Sequence, residues 1–205
     1  MTARIQSSFE LIMGVHFTGE FYMNVYDIDL YFNVETELIK EQNIALDRIK
    51  YFLHKCLEHS IACHSGETQA IENYINANMK VCTLPEEPYD QIMGIMLTEK
   101  LNAITEGRLV ISDISIGSKM SDGVICCHSL EDNIGPFIEK GWWNDNSTKI
   151  NNHNPIGKGK KVVKLNKPTL EWSDVFLDWE IKDPYLKNVS SSEIVFAQFD
   201  NKTDK

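Results

Sequence analysis

The stretch FELIMGVHFTGEFYMNVYDIDLYF, residues 9–32, decides the fold. Phe9, Leu11, Met13, Val15 and Phe17 fall on alternate positions, the two-residue period of a strand with one buried face. Thr18 and Gly19 mark a reversal, after which a second strand runs back. Its apolar residues sit first at Phe21, Met23 and Val25 and then at Tyr26, Ile28, Leu30 and Phe32. That one-residue shift of parity predicts a β-bulge near Val25 if both halves bury the same face. The first element reads as a long, bent hairpin.

Beyond it the period lengthens to that of a helix. Ile39, Leu46, Ile49, Leu53, Cys56 and Leu57 form one stripe over residues 35–60. A second helix is expected over 67–79, a short strand over 80–84, and a third helix opened by Pro88 and closed by Gly107. Residues 108–116 and 123–128 read as two more strands around the polar loop 117–122. The order ββααβαββ predicts an α+β fold with a mixed, mainly antiparallel sheet and helices packed on one face. The run 80–116 has the length of a right-handed crossover, so some parallel pairing is expected. Residues 1–129 make the core domain in this reading, and 130–205 an irregular C-terminal extension packed on it. That extension carries an amphipathic helix over 170–179, a short strand over 194–199 and a disordered tail at 200–205.

The composition is that of a globular protein: 205 residues, 42% hydrophobic and 24% charged, which excludes a fibre or a solvated tail. The net charge of −10 argues against nonspecific binding of nucleic acid or anionic membrane by the surface as a whole. Residues 1–17 lack the continuous apolar run of a signal peptide, and no window approaches the roughly 18 apolar residues of a membrane span. A cytoplasmic protein without a membrane partner is expected. The odd count of five Cys agrees with reduced thiols.

The segments YFNVETELIKEQNIALDRIKYFLHKCLEHS (31–60), TLPEEPYDQIMGIMLTEKLNAITEGRLVISDISIGSKMSDGV (83–124) and DNIGPF followed by GWW (132–143) resemble an uncharacterised protein family of large T4-like tailed phages of marine bacteria. The resemblance covers about half of the chain. It implies a phage accessory protein acting in the cytoplasm of a bacterial host, and it carries over no activity and no functional residues. The order of elements also resembles the ββααββ unit of tunnel-fold pterin and purine enzymes, whose His-x-His metal motif is absent here.

Four groups of residues have the materials for chemistry. Asp27 and Asp29, two apart on a strand, project from one face and suit Mg²⁺ or Mn²⁺, with Asp113 as a third ligand. The bland alternative is a solvated strand face. Cys56, His59 and Cys63 share a helical face if that helix continues past Ser60, and with His128 they would supply tetrahedral Zn²⁺. The alternative is core thiols and partly exposed imidazoles. Cys127 and His128 are adjacent on a strand, so they point to opposite faces and form no catalytic pair. The loop holding Ser118 and Lys119 offers hydroxyls, small residues and a cation for a phosphate, or is a plain hairpin loop. Lys160 and Lys161 belong to a basic segment, 149–167, just after Trp142 and Trp143. It is a contact for nucleic acid or an acidic partner, or a solvated strand. The expected function is a non-enzymatic interaction or binding module that forms a homo-oligomer or takes a protein partner. The alternative is a divalent-metal enzyme acting on a phosphorylated small molecule or nucleotide through Asp27, Asp29 and Asp113.

Overall fold

The computed structural model describes residues 4–35, 38–130, 135–148 and 150. Strands β1 (Arg4–Phe17) and β2 (Glu20–Val34) form the long hairpin. Helix α1 (Ile39–Tyr51) runs into a π-helical turn, Phe52–Leu57. Then come β3 (Ile61–His64), α2 (Thr68–Asn76), β4 (Val81–Leu84), α3 (Asp90–Thr105), β5 (Leu109–Ser118) and β6 (Ile125–Ser129). The six strands form one mixed sheet in the order β4-β3-β1-β2-β5-β6, an α+β architecture. Pairing is antiparallel from β1 through β6 and parallel across β1-β3-β4.

The core lies between one face of the sheet and α1 and α3. Leu11, Met13 and Val15 of β1, and Tyr26, Ile28, Leu30 and Phe32 of β2, point into it. Helix α3 buries residues nearly all round, as expected of a helix covered on several sides. It seats close to the sheet because Gly94 leaves room: a Cβ there would stand 3.1 Å from Ile116 Cγ2. At the end of α3, Arg48 of α1 is wholly buried; its Nη1 donates to the Ile104 carbonyl at 3.0 Å and to Glu106 at 3.3 Å. Arg108 lies 3.5 Å from the same carboxylate and 3.7 Å from Glu41.

Several expectations need correction. The order is ββαβαβαββ, because β3 stands between the first two helices. Its four residues are nearly all buried and carry no alternation, so the sequence leaves them unassigned between the helices over 35–60 and 67–79. The helix stops at His59, whose φ of 60° turns the chain and whose N–H donates to the Ile12 carbonyl at 2.9 Å. The helices do not share one face. Tyr74 of α2 packs on His16 and Phe21, both on the face opposite α1 and α3. No bulge occurs at Val25, since β1 and β2 keep one register throughout; Phe21, Met23 and Val25 lie on that outer face. The parity shift is in β5, where the register with β2 slips between Tyr31 and Phe32 and Ser112 is the extra residue. The crossover through α3 joins β4 to β5, which have three strands between them; the parallel partner of β4 is β3.

The described part of the C-terminal extension packs on the core through Phe137 and Ile150. Lys100, with no exposed surface, donates from Nζ to the carbonyls of Trp142 at 2.8 Å and Asp145 at 2.5 Å. The helix expected over 170–179, the strand over 194–199, the tail at 200–205 and the basic segment with Lys160 and Lys161 lie outside the described residues.

Candidate functional site

The two edges of the sheet are treated differently. Backbone hydrogen bonds alternate across antiparallel strands, so bonding on one side of a strand fixes what its other side presents. Leu130 donates to the Ser112 carbonyl at 2.9 Å, and the register then assigns His128 and Cys126 to β5. The N–H and C=O groups of Ile125 and Cys127 therefore point outward, and among the described residues no strand lies beyond β6. At the other edge, Lys80 and Leu84 accept from β3, which turns the Thr83 carbonyl outward. Trp142 caps it, its indole N–H donating to Thr83 at 2.8 Å. Trp142 thus holds the C-terminal segment on the edge of β4.

The open edge is also apolar at its start, where Val124 is 60% and Ile125 65% exposed. Cys127 is the exposed cysteine among the five. Beside this edge the outer face holds a groove of about 540 Å³, lined by Asp27, Asp29, Ser115, Val124, Ile125 and Cys127. Ser115 and Cys127 approach to 3.5 Å between Oγ and Sγ.

The groove includes two of the three carboxylates singled out from the sequence. Asp27 and Asp29 lie opposite Gly117 and Ser115 on the outer face, and Asp113 lies opposite Tyr31 on that same face but outside the groove. Asp29 accepts a hydrogen bond from Ser8 Oγ at 2.5 Å, and Asp113 one from Ser112 Oγ at 2.9 Å. Among the described residues no three His, Cys, Asp or Glu side chains come together closely enough to hold a metal ion. The zinc set is dispersed. Cys56 is in the π-helical turn and His59 on the loop after it, while Cys63 is buried in β3 under α2. His128 is in β6, four strand spacings from β3, roughly 19 Å. Burial pushes the thiols of Cys56 and Cys63 up to about 11 and about 12, against the thiolate that zinc requires. Ser118 ends β5 with its hydroxyl on the inner face, and Lys119 opens a 3₁₀ turn, Lys119–Ser121. They form the hairpin connection and do not precede a long helix.

The residues that make the open edge were only partly visible beforehand. Ile125 reads from the sequence as an ordinary strand residue, and Cys127 drew notice only for its neighbour. The signal was positional: β6 is the last strand among the described residues.

No family model matches the chain, and no curated protein matches it. Solved structures with a related outline include an uncharacterized protein from Wolinella succinogenes, 10% identical, with a TM-score of 0.47 over 64% of this chain and 99% of that one. A catalytic-residue mutant of Plasmodium vivax 6-pyruvoyltetrahydropterin synthase is 8% identical, with a TM-score of 0.41 over 62% of this chain and 97% of that one. Likenesses this loose transfer no activity.

Proposed function

We propose that the protein is a non-enzymatic interaction module that self-associates by pairing β6 with β6 of a second copy. The observation that supports this reading is the asymmetry of the edges: Thr83 in β4 is capped by Trp142, while Ile125 and Cys127 of β6 are exposed and, among the described residues, no strand pairs with that edge. An uncovered edge of this kind is a template for another strand. Antiparallel pairing about a two-fold axis sets Cys127 opposite Cys127 of the second copy and Ile125 opposite Ser129, which closes the assembly at a dimer. Proline in place of Ile125 tests it, because the N–H lost there is the one pointing outward, a position at which an edge strand tolerates proline. The native protein is expected to sediment as a dimer and Ile125→Pro as a folded monomer. A native monomer, or a dimer unaffected by the substitution, contradicts the reading.

A second reading, a divalent-metal enzyme using Asp27, Asp29 and Asp113, draws support from the shared outer face of the three carboxylates and the groove beside two of them. Mn²⁺ titration followed by electron paramagnetic resonance tests it: the reading requires saturable binding that Asp27→Asn abolishes.

A further inference from the structure

Helix α2 joins β3 to its parallel neighbour β4 and lies on the outer face of the sheet, the face that α1 and α3 leave open. The strand register sets two rows of side chains on that face. Met23, Gly14, Ile61 and Val81 form one row across β2, β1, β3 and β4, and Phe21, His16, Cys63 and Thr83 form the next. The rows are open at one end and covered at the other. Met23 is 61% and Phe21 45% exposed, whereas His16, Ile61, Cys63 and Val81 are buried. Ile61, Cys63 and Val81 nonetheless stand outside the core cluster packed against α1 and α3. They make a separate layer under α2.

That cover is weakly held. Helix α2 has nine residues, short of the roughly 12–15 that an isolated helix needs in water. None of its residues is fully buried, no side chain caps its first turn, and its first and last turns carry no charge that complements the helix dipole. Tyr74 anchors it, with a hydrogen bond of 2.9 Å between Oη and His16 Nδ1 and its ring 6.1 Å from that of Phe21. Closure also isolates a polar atom: His16 Nε2 is buried without a hydrogen bond, 3.8 Å from the Glu67 carboxylate, which is too far for one. Water reaches that nitrogen once the helix lifts, which lowers the cost of opening. The chain can bend on both sides, at Gly66 before the helix and at Asn78, with a φ of 60°, after it.

We propose that α2 is a lid. It lifts as a unit between Gly66 and Asn78 while the six strands and the inner core stay folded, and it thereby joins His16, Ile61, Cys63 and Val81 to the exposed Phe21 and Met23 in one band. The lid sets how much apolar surface the outer face shows. Local openings of this kind are drawn from the least stable part of a fold. The lid covers the β3–β4 end of the sheet, away from β6, and does not depend on the dimer.

Cys63 under the lid and Cys82 in the core are both fully buried, so their alkylation reports two different openings. The full chain is treated with N-ethylmaleimide under native conditions and each site is read by peptide mapping. Cys63 is expected to react at least about tenfold faster than Cys82. Tyr74→Phe keeps the ring and removes the hydrogen bond to His16; it is expected to speed Cys63 by about fivefold and to leave Cys82 unchanged. Hydrogen exchange should show the amides of α2 exchanging faster than those of α3. Equal rates at the two cysteines mean that Cys63 opens only by global unfolding, and they overturn the lid. So does a Tyr74→Phe protein in which both rates rise together, or an α2 as protected from exchange as α3.

Discussion

Lys100 is the residue whose environment departs furthest from what its type prefers. It has no exposed surface, and its ammonium is held by two backbone carbonyls near the rings of Phe52 and Trp142. Burial pulls its pKa down to about 8, with Asp145 opposing the shift. A lysine that titrates lower when folded than when unfolded is a cost at neutral pH, and the cost fades as pH rises from about 8 toward 10.5. Denaturant unfolding should therefore show native stability gaining about 2–3 kcal/mol relative to Lys100→Met between pH 7 and pH 10. Parallel curves for the two proteins would contradict the buried charge. Arg48 is the second such case, drawn down to about 10 by burial while Glu106 opposes the shift. Glu106→Ala removes the carboxylate opposite that buried guanidinium and leaves it the Ile104 carbonyl, and the expected loss is about 3 kcal/mol in the same assay. Neither burial was legible in the sequence, where Lys100 and Arg48 look like the polar sides of two amphipathic helices. Their partners are backbone carbonyls and a residue 58 positions away, which no local pattern reveals.

Among the elements, β5 and β3 mark the limits of periodicity. In β5, Leu109 and Ile111 face the core, and then Ile114 and Ile116 do, so the odd set gives way to the even set at Ser112 and Asp113. That change of parity is present in the sequence, and it explains why an Asp interrupts an apolar strand: the bulge swings Asp113 to the outer face. The same rule misled at Val25, because Phe21 and Met23 are apolar residues that stay largely exposed on the outer face, Phe21 touching only the ring of Tyr74 of α2. The strand β3 was invisible for the reason that makes it central: both of its faces are covered, so it lacks alternation. Its neighbour β4 depends on Trp142 at the edge and on Lys80 at its start, where Nζ donates to the Cys56 carbonyl at 3.0 Å and that of Glu58 at 2.5 Å. Trp142→Phe keeps the ring but loses the hydrogen bond to Thr83. Thermal unfolding should report a loss of about 1 kcal/mol, with no change in association if β6 is the edge that pairs.

At the scale of the fold, the α+β class, the hairpin, the three α-helices of the described residues and the mainly antiparallel pairing were legible, because each rests on a period of two or 3.6 with turn residues between. The candidate site was legible only in part. Asp27 and Asp29 do share a face and a groove, but which strand would lie at an open edge follows from the order β4-β3-β1-β2-β5-β6, and strand order is not written in local periodicity. In the proposed assembly β6 completes itself with a second β6. In that arrangement the two copies of Cys127 face each other with Cα atoms about 5.5 Å apart, within the span of a disulfide. The most direct test is mild oxidation of the native protein followed by peptide mapping of the covalent dimer. The account predicts a single Cys127–Cys127 link, lost in Cys127→Ser and kept in Cys126→Ser. A solution dimer that yields no link at Cys127, or one joined through another cysteine, would contradict it.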